Sequence, residues 1–325
     1  MLKNMSKAYK DLSGFNPSQS TLEFYQQYGE DYTEWFDKAE ELFDYIETNF
    51  PLSKVHESKS QKYSKLMPAL MSPFNLYFTK KNLETFGETI DNFYHLNSDG
   101  LRCDEFSDSH DKLHILFAGC SITFGDGLPI DLTWSKMVYK SISKQVPTSG
   151  YYNVAGPGFN HLDIYYQVFK YIELYGNPEY IFINFPDLER SIDAGIPIES
   201  LHSVILPMHN ALIQYAETNN IKLIMFSWDI HSFKGGAYLD QNPNFNDVFY
   251  QSPWLDPRQQ TNNTLYQFAE KELQAHMMTF IKINKNNKFA KFMLRAFDIV
   301  HPGIAEHDFY YNFAYNIWRD LHGPV

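Results

Sequence analysis

A serine and an aspartate–histidine pair, far apart in the chain, have the residue types and spacing of nucleophilic catalysis. The serine is Ser121, which follows a short apolar run in the segment Gly119-Cys-Ser-Ile-Thr-Phe-Gly125. The pair is Asp298 and His301, in the segment Asp298-Ile-Val-His-Pro302. Three residues apart in a loop, the carboxylate can orient the imidazole, and the imidazole can then take the serine proton. These groups predict acyl transfer through Ser121.

Each motif alone also has a purely structural interpretation. A serine beside a glycine often only completes a turn, and Asp-x-x-His-Pro often marks the start of a helix with a capping aspartate. Cysteine is the better nucleophile, so Cys120 could in principle replace Ser121. We interpret Cys120 as a small buried residue behind the turn, as free cysteines often are. The joint occurrence of both motifs around an α/β pattern favours catalysis.

Short apolar runs alternate with amphipathic segments around these motifs. Strands are predicted at 114–118, 151–155, 180–183 and 221–226, and helices from 161 to about 175 and at 208–218. This alternation predicts a parallel sheet with helices on both faces, that is, a three-layer α/β/α fold. Right-handed crossovers place the carboxyl ends of the strands on one edge, where open α/β sheets bind ligands. Ser121 is expected at that edge, with backbone N–H groups beside its hydroxyl if the next turn is helical.

The chain outside this alternation predicts two further parts. Residues 1–95 are expected to form a helical extension of unknown role, with a helix at 21–49. Residues 96–325 are expected to form the catalytic domain. Within it, residues 230–263 form a long aromatic-rich insertion, whose rings could stack on sugars or pack as a hydrophobic lid.

Composition limits the class of partner. The 325 residues include 27 Lys and Arg against 39 Asp and Glu, and the net charge of −12 argues against nucleic-acid binding. The 44% hydrophobic content suffices for a core. No run of about 18 apolar residues predicts a membrane span, and the first residues lack the apolar stretch of a signal peptide. We therefore expect a soluble, cytoplasmic protein, whose oligomeric state the sequence does not set.

No metal or organic cofactor is predicted from the sequence. The only cysteines, Cys103 and Cys120, are too few for a cysteine metal cluster or a disulfide scaffold. Two histidine pairs could suggest a metal, but neither has a clear third ligand. These pairs are His110 with His114, and His202 with His209.

From about Asn97 onward, the sequence resembles the SGNH hydrolases, also called the GDSL esterase/lipase superfamily. The family's first block, Gly-Asp-Ser followed by Thr-Phe-Gly, is present as residues 119–125 with Cys120 in place of the aspartate. Its last block, Asp-x-x-His-Pro, matches residues 298–302 without a gap. The segment Asn97-Ser-Asp-Gly-Leu-Arg102 is similar to an Asn-x-x-Gly-Phe-Arg segment of several branches. The resemblance implies a mostly parallel, flavodoxin-like sheet and a Ser-His-Asp triad.

The resemblance also implies an oxyanion site. The family's Asn-x-Gly-x-x-Gly block loosely matches Asn153-Val-Ala-Gly-Pro-Gly158, which makes Gly158 the oxyanion glycine beside the Ser121 N–H. The third block should read Gly-x-Asn-Asp after its strand, whereas this chain has Ile183-Asn-Phe-Pro-Asp187. Asn184 and Asp187 are therefore the two candidates for the oxyanion side chain.

The expected function is hydrolysis of carboxylic esters by a serine hydrolase. Ser121 is the expected nucleophile, and His301 is expected to act first as base and then as acid. Asp298 is expected to orient His301. The resemblance implies small-molecule or carbohydrate ester substrates, such as acetylated glycans or short acyl esters. The alternative is a binding or structural protein that keeps the fold with little or no catalysis. The altered third block favours this alternative, and the intact first and last blocks disfavour it.

Overall fold

The three-dimensional structure is a computed structural model. It describes residues 66–67, 69, 73–87, 93–107, 111–187, 190–191, 195–196, 201–228, 266, 268, 270–287, 290–298 and 300–323. The predicted helix at 21–49 and the insertion at 230–263 lie outside these residues.

Four parallel strands form the sheet within the described residues, as the alternation of apolar runs predicted. They are β1 (Ile115–Gly119), β2 (Tyr152–Asn153), β3 (Tyr180–Phe185) and β4 (Lys222–Ser227). Their order is β2-β1-β3-β4, which agrees with the first four strands of a flavodoxin-like sheet. Strand β2 is shorter than predicted, because the Asn153 side chain accepts a hydrogen bond from the Ala155 N–H (3.1 Å) and turns the chain.

Seven helices accompany these strands within the described residues. They are α1 (Pro73–Glu84), α2 (Ser121–Phe124), α3 (Trp134–Ser143), α4 (His161–Tyr175), α5 (Leu201–Thr218), α6 (Glu270–Asn284) and α7 (Ile304–His322). The predicted start of α5 at 208 was wrong, because the helix continues through Pro207. The hydrogen bond that a proline cannot make is offset there by core packing on either side, where Ile205 and Leu212 are buried.

Helices cover both faces of the sheet, which confirms the three-layer α/β/α fold. On one face, Trp134 of α3 and Tyr310 of α7 pack against Phe226 of β4, with ring centroids 5.2 and 6.0 Å apart. On the other face, His161 of α4 stacks on Phe185 of β3 at 5.3 Å. Because side chains alternate along a strand, each strand contributes to both cores.

Local sequence fixes where α4 begins. The Asn160 side chain accepts hydrogen bonds from the N–H groups of Leu162 and Asp163, and the Asp163 carboxylate accepts one from the Asn160 N–H. This reciprocal capping box satisfies N–H groups that a helix start leaves without intrahelical partners. It anchors α4 directly after the loop that contains Gly158.

In the described part of the chain, no helix is both long and apolar enough to cross a bilayer.

Candidate active site

The candidate nucleophile lies in a tight turn at the carboxyl edge of the sheet. Ser121 is the first residue of the four-residue helix α2, so the turn after β1 is helical, as considered from the sequence. Gly119 allows this turn: a Cβ at that position would lie 2.7 Å from the Asn184 carbonyl oxygen, and Thr123 would clash as well. The first block therefore requires glycine at 119 for steric reasons.

The Ser121 side chain is nearly enclosed, with 1% of its surface exposed. Its hydroxyl makes no hydrogen bond to any described residue, His301 included. Catalytic hydrogen bonds are often long or unformed without substrate, so this geometry does not remove the candidate. Cys120 is fully buried just before Ser121, in agreement with its interpretation as a packing residue.

Asp298 and His301 form a hydrogen-bonded pair. Asp298 Oδ2 lies 2.5 Å from His301 Nδ1, and Asp298 Oδ1 accepts hydrogen bonds from the N–H groups of Val300 and His301 (3.1 and 3.0 Å). The carboxylate is fully buried, whereas 11% of the imidazole is exposed. With Nδ1 bound to Asp298, the other ring nitrogen is the one suited to exchange a proton with a substrate or a serine.

The surroundings of His301 favour its charged form. Burial lowers the pKa of His301, but the charge and hydrogen bond of Asp298, together with the charge of Asp126, outweigh burial. The net result is a pKa above the ordinary histidine value. An imidazole acts as a base only when deprotonated, so we expect activity to rise with pH through this raised pKa.

The turn after Ser121 packs against the loop that carries the pair. The Phe297 N–H donates to the Gly127 carbonyl (2.7 Å), and a Cβ at Gly127 would lie 2.7 Å from the Asp298 carboxyl carbon. The Asp126 N–H donates to the Ser121 carbonyl (3.0 Å). The structure thus brings the first and last motifs into contact through residues 126 and 127.

Asp126 is a residue of this site that the sequence reasoning missed. Its carboxylate is 1% exposed, and Oδ2 lies 3.9 Å from His301 Nδ1. Oδ1 accepts a hydrogen bond from the Tyr94 hydroxyl (2.7 Å), and Oδ2 accepts one from the Asn75 amide (3.0 Å). The one sequence signal was the position of Asp126, directly after the last glycine of the first block.

Asp126, Asp298 and His301 could also be considered as metal ligands. One oxygen or nitrogen from each lies within 4.8 Å of the others. However, Asp298 Oδ2 and His301 Nδ1 form a hydrogen bond, with 2.5 Å between the two atoms. Two ligands at about 2.0–2.1 Å from a tetrahedral zinc would lie farther apart. The geometry therefore favours an acid–base cluster over a metal site.

The histidine pairs considered from the sequence supply no metal site where they are described. His114 Nε2 lies 2.7 Å from the Tyr171 hydroxyl, and His209 Nδ1 lies 3.0 Å from the Tyr165 hydroxyl. Both histidines are buried within the core layers. His110 and the side chain of His202 lie outside the described part of the structure.

Arg102 binds the backbone of the turn that follows Ser121. Its buried guanidinium donates hydrogen bonds to the carbonyls of Gly125 (2.6 Å), Leu128 (2.8 Å) and Phe93 (2.8 Å). Asn97, at the other end of the same segment, accepts from the Leu101 N–H (3.0 Å) and shapes the local turn. The Asn97–Arg102 segment therefore fixes the backbone that follows Ser121.

The two third-block candidates have different surroundings. Asn184 pairs with Gly119 in the sheet, is fully buried, and has no hydrogen-bond partner for either side-chain atom among the described residues. Asp187 lies just past β3 and is nearly buried. Its Oδ1 accepts from the Arg190 N–H (2.9 Å), and its Oδ2 lies 3.7 Å from Arg190 Nε. Asp187 thus already pairs with Arg190, whereas Asn184 offers an unused amide.

Gly158 is an exposed residue of the loop between β2 and α4. Its φ is +78°, a conformation that favours glycine, and a Cβ there would contact nothing within 4 Å. Upstream in the same loop, the Asn153 amide donates to the Thr123 carbonyl (3.0 Å), and the Gly156 N–H donates to the Gly119 carbonyl (3.3 Å). The loop is therefore attached to the serine turn, while the role of Gly158 as an oxyanion donor stays a prediction.

Comparisons with known proteins add little to this geometry. No protein-family model matches the sequence, and no curated protein matches it. Among solved structures, the chain is similar to the psychrotrophic esterase EstA from Pseudoalteromonas sp., in a structure inhibited by monoethylphosphonate. The two share 16% identity over 64% of this chain and 97% of that chain, with a TM-score of 0.40. A likeness this distant carries no argument about activity, so the proposals below rest on the residues of this chain.

Proposed function

We propose that this protein is a serine hydrolase that cleaves carboxylic esters. The observation that carries the proposal is the Asp298–His301 pair, whose 2.5 Å contact orients the imidazole, in a loop packed on the turn of Ser121. An oriented imidazole beside a serine turn at the carboxyl edge of a parallel sheet is an arrangement suited to acyl transfer. The membership in the SGNH hydrolases that the motifs suggest is part of the same proposal.

The proposed reaction has two stages. His301 takes the proton of the Ser121 hydroxyl while its oxygen attacks the ester carbonyl, and the protonated imidazole then gives that proton to the departing alcohol. A water molecule, deprotonated by His301, next attacks the acyl-enzyme and releases the carboxylic acid and Ser121. Asp298 keeps Nδ1 protonated throughout and stabilises the imidazolium that forms in each stage. As substrates we propose small-molecule or carbohydrate esters with short acyl groups.

Active-site labelling tests the identity of the nucleophile. We expect a fluorophosphonate probe to label Ser121, because a serine activated by a general base attacks such phosphorus centres. Mass spectrometry of the labelled peptide locates the adduct. Cys120→Ala is the matched control and should still be labelled, whereas Ser121→Ala should not.

The same experiment separates the catalytic and non-catalytic alternatives. The unformed hydrogen bond between Ser121 and His301 is the observation that favours a binding or structural protein. That alternative predicts no labelling and no turnover of p-nitrophenyl acetate by the folded protein. Labelling at Cys120 would instead overturn the assignment of the nucleophile.

Asn184 is the better-supported candidate for the oxyanion side chain. Leaving an amide buried and unpaired costs roughly 1–3 kcal/mol, so such a group in a folded protein calls for an explanation. An oxyanion that forms only during the reaction would provide the missing acceptor for its N–H. Asp187 is a poorer candidate, because its carboxylate would repel an oxyanion and is already paired with Arg190.

Paired substitutions test this assignment. We expect Asn184→Ala to lower kcat on a simple ester by roughly 10²–10³, the effect of one oxyanion donor in a well-built site. Its melting temperature should stay equal or rise, because an unpaired buried amide is removed. Asp187→Asn should leave kcat within a few-fold. A gain in kcat for Asp187→Asn, with no loss for Asn184→Ala, would transfer the role to Asp187.

A further inference from the structure

We propose that Asp126 is a positioning residue, a second carboxylate that acts on His301 by its charge and helps to set the pH range in which the imidazole serves as base. Its effect on turnover rests on the proposed function. Its effect on the ionisation of His301 does not.

The geometry separates the roles of the two carboxylates. Asp298 Oδ2, at 2.5 Å, is the partner of the Nδ1 proton. Asp126 Oδ2, at 3.9 Å from the same nitrogen, is too far for a hydrogen bond but close enough for a strong charge interaction. Both carboxylates are shielded from solvent, so their charges are weakly screened. Asp126 thus stabilises the imidazolium without binding its proton.

The hydrogen bonds around Asp126 favour its ionised form. The Gly127 N–H donates to the Tyr94 oxygen (2.6 Å), which leaves the phenol proton for Asp126 Oδ1. The Asn75 amide donates to Oδ2. Each carboxylate oxygen therefore accepts a hydrogen bond from a neutral donor. Burial and the charge of Asp298 raise the pKa of Asp126 above the ordinary aspartate value, and the charge of His301 and these two hydrogen bonds limit that rise.

The other described charged or titratable groups near His301 do not stabilise its imidazolium. Among the described residues, the Arg190 charge lowers the pKa of His301 and so opposes both carboxylates. His307 stays neutral, because burial lowers its pKa to about 3. Arg102 lies on the side of Tyr94, with its guanidinium carbon 4.7 Å from the phenol ring centre. After Asp298, Asp126 is thus the described carboxylate whose charge raises the pKa of His301 most.

Both donors to Asp126 come from the region predicted to form the N-terminal extension. Asn75 lies on α1, and Tyr94 follows shortly before the predicted boundary at residue 95. A third residue of the region, Asn82, donates its amide to the Phe297 carbonyl (2.6 Å), next to Asp298. The proposal therefore gives Asn75, Asn82 and Tyr94 a role in holding the acid–base cluster.

Titration of His301 by NMR tests the proposal directly in the full chain. We expect Asp126→Asn, which preserves the side-chain shape, to lower the pKa of His301 by about one unit, at the low end of the effect of a nearby opposite charge. Asn75→Ala should lower it by less, because a less stabilised Asp126 is less ionised. Asp131→Asn is the charge-matched control and should not change it, since Asp131 is exposed and paired with Lys140 (2.7 Å). A His301→Gln variant assigns the signal.

The pH profile provides the second readout. In Asp126→Asn, the acidic limb of kcat/KM should move to lower pH by the same amount as the pKa, a shift that a merely loosened structure would not produce. An unchanged pKa in folded Asp126→Asn overturns the proposal. If Asp126→Asn does not fold, an unchanged pKa of His301 in Asn75→Ala overturns the proposal instead. A lowered pKa in a protein without esterase activity supports this proposal and contradicts the proposed function, so the two can fail separately.

Discussion

A His301→Ala variant is expected to lose ester turnover by roughly three orders of magnitude or more while remaining folded, because His301 is the proposed base for the Ser121 proton. Ser121→Ala should lose a similar amount. The double variant should be little worse than either single one, since residues that act as a unit are strongly non-additive. Steady-state kcat on p-nitrophenyl acetate, with circular dichroism for folding, is the measurement.

A histidine near the amino-terminal ends of the strands, away from Ser121, is the control for this experiment. His322 contacts the Tyr180 hydroxyl (3.0 Å), and Tyr180 begins β3 at the edge away from Ser121. His322→Ala should keep wild-type kcat. In the wild type, turnover should fall with acid as one group titrates, at a pH above the ordinary histidine pKa. A folded His301→Ala variant with near-native kcat would refute the role of His301.

The sheet could be predicted because its strands are buried on both faces. Such strands are nearly continuous apolar runs, and the runs that begin near 115, 180 and 222 stand out from their polar flanks. Boundaries were less accurate where side chains decide them. Asn153 shortens β2 through its own hydrogen bond, and core packing carries α5 through Pro207. Neither effect is encoded in the period of the apolar residues.

The candidate site was only partly predictable for a related reason. Asp298 and His301 are three residues apart, so their contact follows from local geometry. Asp126 receives its hydrogen bonds from residues 32 and 51 positions away, and such pairings depend on how Asn75 and Tyr94 pack on the domain. The unpaired amide of Asn184 has no sequence signature either, because an asparagine that lacks partners looks like any other. Spacing identifies the local pair, and the tertiary fold adds the groups that tune it.

Asp298→Asn is expected to lower kcat on the order of 10³–10⁴-fold, although a second carboxylate remains close to the imidazole. The substitution preserves shape, but the amide at position 298 can donate a hydrogen bond to Nδ1. The ring would then carry its proton on the nitrogen that must accept one from Ser121, so the base is blocked by its tautomer. The measurement is kcat, together with the protonation state of His301 by NMR.

The comparison with Asp126→Asn shows which property of a carboxylate the site requires. If charge alone mattered, Asp126 would compensate for much of the loss in Asp298→Asn, because its Oδ2 lies only 3.9 Å from Nδ1. If the requirement is an acceptor for the Nδ1 proton, Asp126 cannot compensate at that distance. We therefore expect Asp126→Asn to cost far less than Asp298→Asn, and the double variant to resemble Asp298→Asn alone. The opposite result would be a loss of kcat below tenfold in Asp298→Asn and a severe loss only in the double variant. It would mean that the two carboxylates are interchangeable and that neither one fixes the tautomer of His301.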